Sequence, residues 1–333
     1  MAQILDIFSI QPNKISTDLT SYNFLLYSMP GIGKTSLAVA LFPEKHFILG
    51  AEYGFKGIPG AIGVAVPDYF SLNQYIKQLD TVEARERFDT IIVDTTSKIG
   101  SMIEEYVLSQ YGKNFLGDCK QHGGAYPLIN RYYDLAFNKL KARGYNFVYI
   151  CHANETSVTN EDGVELYKKY SPKMSDRIRN LIEPEVDYTF FLTLDKEGNR
   201  MVVTDNTLKN IGKHRNNLPT YVKLEKDAKT LKEEISKGIL EKGGEFITSE
   251  KTITTVVQGK GEEKPYTEVI EEIKTVGKKL AMTPLGLEAK EITNNGLGTD
   301  SDGRQRTLNE MTQLNYQVLI KILADLKALE ERL

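Results

Sequence analysis

Lys34 and Thr35 close the run Ser-Met-Pro-Gly-Ile-Gly-Lys-Thr at 28–35. An ammonium and a hydroxyl behind two close glycines are a set that can hold a polyphosphate together with its metal. Gly31 and Gly33 let the backbone turn so that successive N–H groups point at one anion. The start of the next helix adds its positive dipole end. In this spacing Lys34 reaches the β- and γ-phosphates and the Thr35 hydroxyl binds Mg²⁺. Pro30, Ile32 and Ser36 complete the candidate nucleotide-binding segment. Ser28 stands where this pattern usually has Gly, which costs little if its φ is negative.

Three more polar residues stand just past apolar runs. Glu52 follows the run at 46–51, Asp94 ends the run at 88–94, and His152 follows the run at 145–151. In open α/β sheets the reactive groups lie beyond the carboxyl ends of the strands. There, Glu52 can position or deprotonate an attacking water, and otherwise it is a solvated loop acid. Asp94 can hold the Mg²⁺ shell, with a hydroxyl of Thr95 or Thr96 touching the metal's waters. His152 can sense a γ-phosphate by hydrogen bond, or is a satisfied structural histidine.

A second chemistry is suggested by positive charge mixed with aromatic rings. The Gly-rich stretch 112–126 carries Lys113, Phe115, Lys120, His122 and Tyr126. Between 168 and 179 lie Lys168, Lys169, Lys173, Arg177 and Arg179 against Asp176, with Tyr167 and Tyr170 interleaved. Such a mix can track a nucleic-acid strand, and it can equally be a solvated face. Lys213 and Arg215, two apart on an extended segment, point the same way. In an oligomer they could reach a neighbour's γ-phosphate, and otherwise they are another basic face.

These groups need a scaffold of strands and helices. Apolar runs predict buried strands at 22–27, 46–51, 88–94 and 145–151. Helices are expected at 34–42, stopped by Pro43, and at 71–87, opened by a Ser71–Gln74 capping box. Two more are expected at 98–111, on Ile99, Met102, Ile103, Tyr106 and Val107, and at 128–143, closed by Gly144. Turn signals at 160–163 and 195–198 predict hairpins, the first joining 156–159 to 164–168 and the second joining 186–194 to 199–204. Residues 4–10 read as an edge strand or an arm docking on a neighbour. Composition shifts near 226, and 258–265 and 294–304 are linker-like. Met311, Leu314, Val318, Leu319, Ile322, Leu323, Leu326 and Leu329 form an apolar stripe that must bury on the core, a subunit or a partner. The expected division is 1–20 as strand or arm, 21–225 as core, and 226–333 as extension.

Composition sets bounds. With 333 residues and 41% hydrophobic content, the chain can support a sizeable core and an extension. A net charge of −3 makes any nucleic-acid site a local patch. Cys119 and Cys151 lack metal-ligand spacing and fit a reducing compartment. No charged leader or long apolar run predicts a signal peptide or a membrane span, so a cytoplasmic place is expected, that of the host if the chain is phage-encoded.

The order of parts resembles a RecA-type P-loop ATPase. Phe-Ile-Leu-Gly-Ala-Glu-Tyr-Gly-Phe (47–55) resembles the stretch ending in its catalytic glutamate, Ile-Ile-Val-Asp-Thr-Thr (91–96) its Asp-bearing strand end, and Tyr-Ile-Cys-His (149–152) its sensor strand. Here His152 stands where RecA has Gln. Lys213-His-Arg215 is similar to the trans-acting finger of RadA and DnaB-type proteins. More narrowly, the chain is similar to compact phage-encoded ATP-binding proteins with only a RecA core, some of which anneal single strands in recombination. The resemblance covers about 20–220. It implies an α/β P-loop NTPase fold with a mostly parallel sheet flanked by helices, and a smaller C-terminal extension. It also implies ATP and Mg²⁺ as cofactors, and Mg-dependent ATP hydrolysis by Lys34, Glu52 and His152, completed by Lys213 and Arg215. Its partners would be single-stranded DNA, a ring or filament of like subunits, and a single-strand DNA-binding protein, with no membrane. A DnaB-like helicase or loader, and an annealing module merely shaped by ATP, are the alternatives.

Overall fold

The computed structural model describes residues 14–119, 125–245, 265–299, 303–312 and 315–332. The expected strand or arm at 4–10, together with Lys120, His122, Leu314 and most of 258–265, lies outside the described residues. The chain divides into two compact units, one reaching to Gln258 and one formed chiefly by 259–333.

The larger unit is built on one sheet. Its strands are β1 (Phe24–Ser28), β2 (His46–Gly50), β3 (Gly63–Ala65), β4 (Thr90–Asp94), β5 (Asn146–Thr159), β6 (Glu165–Pro172), β7 (Tyr188–Leu194), β8 (Arg200–Val203) and β9 (Tyr221–Lys223). The order across the sheet is β3-β2-β4-β5-β1-β7-β8-β9, with β6 pairing the far end of β5. From β3 to β7 the strands are parallel, while β8 and β9 are antiparallel. Parallel strands are covered on both faces and read as unbroken apolar runs. Accordingly Leu25 and Tyr27 of β1 enter one core, and Phe24 and Leu26 enter the other.

Helices cover both faces. These are α1 (Lys34–Leu41), α2 (Tyr69–Leu79), α3 (Val82–Arg87), α4 (Thr96–Tyr111), α5 (Ala125–Ala142), α6 (Asp176–Ile182) and α7 (Lys229–Leu240). Side chains of α2, α4 and α5 fill the first core, and those of α1 and α7 fill the second.

Several expectations shift. The helix at 71–87 is two helices, because Asp68 accepts from Ser71 N at 2.7 Å and starts one, while Thr81 accepts from Ala84 N at 3.3 Å and starts the next. The Ser71–Gln74 box is therefore not the cap. Strand β5 does not stop at Cys151 but runs on into the first hairpin. The change in composition near 226 does not end the core unit, since Ala228, Leu231, Ile235 and Ile239 pack into it. Cys151 is a small buried residue, and burial pushes its thiol up to about 12.

The smaller unit holds α8 (Tyr266–Ala281), α9 (Gly286–Leu297) and α10 (Tyr316–Glu330). Residues 294–297 of the expected linker are helical. The terminal stripe finds its cover here: Leu319, Ile322, Leu323, Leu326 and Leu329 pack with Val269, Ile270, Ile273, Leu280, Ala289 and Leu297. Val318 stays exposed. Leu326 is fully buried. Leu326→Ala is expected to destabilise this unit by about 2–5 kcal/mol. Amide exchange across α10 in the full chain checks it, and unchanged protection would contradict this packing.

Candidate functional site

The carboxyl ends of β1, β2, β4 and β5 bring four candidate groups to one edge. Gly31 (φ 80°) and Gly33 (φ 98°) take the left-handed conformation that the loop requires. Gly33 caps α1, so the free N–H groups of the first turn face the loop. Lys34 is the first residue of α1 and is only 7% exposed. Its Nζ donates to Ser28 O (3.4 Å), Ser28 Oγ (3.3 Å) and Met29 O (3.3 Å). Burial pulls the ammonium pKa down, opposed by Asp94 and Glu52. Ser28 thus supplies two oxygens to the lysine, and its own hydroxyl donates to Met29 O at 2.7 Å.

Two groups with hard oxygens meet beside it. The Thr35 hydroxyl donates to Asp94 Oδ2 at 2.7 Å. Burial raises the Asp94 pKa, and the Thr35 hydrogen bond offsets part of that. Among the described residues no group of three or more His, Cys, Asp or Glu forms a cation cage. Magnesium does not need one, since it keeps several waters and takes one or two protein oxygens plus phosphate. Thr35 and Asp94 fit that donor set.

Glu52 and His152 complete the edge. Sheet register pairs Ser28 with His152 and Gly50 with Asp94, which fixes who stands beside whom. The Glu52 N–H donates to Asp94 O at 3.1 Å. His152 Nδ1 is 3.5 Å from Lys34 Nζ, and its Nε2 is 3.2 Å from Glu52 Oε2. An ammonium can only donate, so a neutral ring here carries its proton on Nε2 and donates to Glu52. Thr95 Oγ1 donates to Glu52 Oε1 at 3.3 Å, and Lys98 Nζ lies 3.5 Å from the same oxygen. Burial pushes the Glu52 carboxyl up, but His152, Lys98 and Thr95 together bring it below the usual range. The result is an ionised carboxylate aimed beside a buried lysine and a hydroxyl–carboxylate pair.

Lys98 was not foreseen as part of this edge. It lies in the first turn of α4, four residues past Asp94, and that spacing was its only sequence signal. Thr95 serves Glu52, while the Thr96 hydroxyl is buried with no partner among the described residues. Arg200, at the start of β8, also comes to the loop, and its Nη1 would lie 2.9 Å from a Cβ on Gly33.

The basic candidates lie elsewhere. Lys168 pairs with Glu155 at 2.6 Å, and Arg179 pairs with Asp176 at 3.3 Å and Glu183 at 3.7 Å. The Arg177 guanidinium sits 4.2 Å from the centre of the Tyr126 ring. Lys173, Arg177 and Arg179 line a cavity of about 420 Å³ with Glu104 and Asn154. Lys113 and Lys169 are exposed. Lys213 Nζ donates to Glu183 O at 2.9 Å, and Arg215 pairs with Asp187. Both sit near the amino ends of β1 and β7, away from their own phosphate loop. No helix among the described residues is long and apolar enough to cross a membrane.

The chain is 23% identical over 339 residues to the SPbeta prophage-derived uncharacterized protein YorG of Bacillus subtilis (strain 168), covering 98% of each. A crystal structure of the RadB recombinase aligns with 62% of this chain and 89% of its own, at 13% identity and a TM-score of 0.35. The AAA domain family matches residues 20–216, which takes in β1 through the Lys213–Arg215 segment. Because that match spans more than half of the 333 residues and every strand end described above, the protein belongs to the AAA domain family.

Proposed function

We propose that the protein binds and hydrolyses ATP with Mg²⁺, and uses that cycle to handle single-stranded DNA in recombination or annealing. One observation supports the hydrolytic reading above others: an ionised Glu52 is held by His152 and Lys98 at the edge that presents Lys34, Thr35 and Asp94. In this reading Lys34 and the loop N–H groups hold the phosphates. Thr35 and Asp94 would hold Mg²⁺, which neutralises charge on the β- and γ-oxygens. Glu52 accepts a proton from the attacking water, and His152 links Glu52 to Lys34.

Single-stranded DNA is favoured by the continuity of β5. The strand that ends its core portion at His152 runs directly into the hairpin, and Lys173 N–H donates to His152 O at 2.8 Å. A change at His152 therefore reaches the basic cavity through one strand. Replacing both Lys173 and Arg177 by Ala is expected to weaken single-strand binding at least tenfold. It should also reduce the salt slope by about 1.4, from two phosphate contacts at about 0.7 each. Titrations across a salt series check this. Protein that neither binds single strands at moderate salt nor hydrolyses ATP faster with them rejects the DNA reading.

Lys213 and Arg215 fit a homo-oligomeric site. A residue that serves a neighbour has to sit away from its own loop, and the Arg215 side chain is 56% exposed there.

A further inference from the structure

Among the described residues, Arg200 is a further cation at the phosphate loop. It pairs in register with Leu194, the last residue of β7, so both lie at the carboxyl edge of the sheet. Its backbone is fixed on both sides, since Arg200 O also accepts from Leu224 N at 2.9 Å. Its Nη1 rests against Gly33, and a Cβ there would meet it at 2.9 Å. The residue is half-buried, and among the described residues its guanidinium has no hydrogen-bond or ion-pair partner. The acids of this edge, Glu52 and Asp94, are on the other flank of β1, beyond β5.

A guanidinium offers five donors and no acceptor, and when half-buried it is favoured beside an anion. The position tells which anion. A triphosphate with its γ end at Thr35, Asp94 and Glu52 and its β-phosphate in the loop must send its α-phosphate and nucleoside the other way. That direction is toward β7 and β8. We infer that Arg200 is a nucleotide-binding residue that contacts the α- and β-phosphates from within the same subunit. It is distinct in place and role from Lys213 and Arg215, which would serve a neighbour's γ-phosphate. This inference rests on the ATP-site reading above. It also gives Gly33 a second reason to be glycine, because a side chain there would displace the arginine.

The test uses the full-length chain with Mg²⁺ and two probes, ADP and a non-hydrolysable ATP analogue, by calorimetric titration. Arg200→Ala is expected to weaken both about tenfold to a hundredfold, the range for losing hydrogen bonds to a charged group. Arg200→Lys should recover part of the loss, keeping charge but not the fork. An unchanged melting temperature without nucleotide shows that β8 is intact. Affinities within twofold of wild type for Arg200→Ala overturn the inference, and so does a loss confined to the triphosphate analogue, which would place the arginine at the γ end. Lys34→Ala separates the two readings. If it weakens both nucleotides and Arg200→Ala does not, only the arginine's role falls. If Lys34→Ala leaves binding intact, or wild type binds neither nucleotide, the phosphate-site reading falls and takes this one with it.

Discussion

Glu52→Gln is expected to stop ATP turnover while leaving ATP bound. The amide keeps the shape of the side chain and its place beside His152, but it cannot accept a proton from water. General-base contributions run to about 10²–10⁴-fold, and a loss of that size in single-turnover hydrolysis is expected. Lys98 loses an ion-pair partner, yet its side chain is 55% exposed, so the unpaired charge costs little in folding. The Asp94–Thr35 pair is untouched. Nucleotide affinity should therefore stay within a few-fold of wild type, and bound nucleotide recovered from the variant should be triphosphate. Hydrolysis within fivefold of wild type, with Mg²⁺ present, would remove Glu52 from the proposed chemistry.

Lys34→Ala should act on binding and turnover together. The ammonium is buried, donates to three oxygens of its own loop, and lies 3.5 Å from His152 Nδ1. Removing one preorganised donor from a developing anion costs about 10²–10³-fold in rate. Since Lys34 would also hold ground-state phosphate in the proposed site, kcat/KM should fall by about 10³-fold or more, with a raised KM as well. Strand annealing measured on the same variant separates a motor from a module that ATP only shapes: full-rate annealing sinks the motor. Retained hydrolysis at more than a tenth of wild type would show that another cation carries the phosphate.

The legible and illegible parts of this edge divide for a physical reason. Buried parallel strands are apolar along their whole length, so β1, β2, β4 and the first half of β5 stand out, and the polar residue after each marks its exposed end. Glu52, Asp94 and His152 could be placed on one edge by that rule alone. Who neighbours whom could not. The Ser28–His152 register joins residues from opposite sides of a long insertion, and no local pattern encodes it. Lys98 reads as the opening of a helix, and it stands in the first turn of one that begins two residues earlier, at Thr96. Its contact with Glu52 depends on β2 lying beside β4. Arg200 was hidden in the same way, behind a hairpin whose register was visible but whose sheet position was not. At 71–87 Ser71 and Gln74 match a capping pattern that Asp68 supersedes, and the break at Thr81 is a second side-chain cap inside an otherwise helical pattern. In the smaller unit the stripe on α10 was visible. Its cover was not, because the apolar positions of α8 are interleaved with six charged residues and the Asn-Asn-Gly inside α9 reads as a linker.

The central place of β1 has a bearing on how the chain is made. Its two neighbours are β5 and β7, and the Asn23 N–H donates to Asp187 Oδ2 across 164 residues. At about 5–20 residues per second, a ribosome needs about 8–30 s to travel that distance. Through that interval the nascent strand is apolar on both faces and at least its β7 edge is open, the condition under which strands pair with the wrong partner. β1 is thus enclosed on both edges only after the whole stretch between it and β7 has been made. A chaperone that shields short apolar strands would have most to do during that half minute.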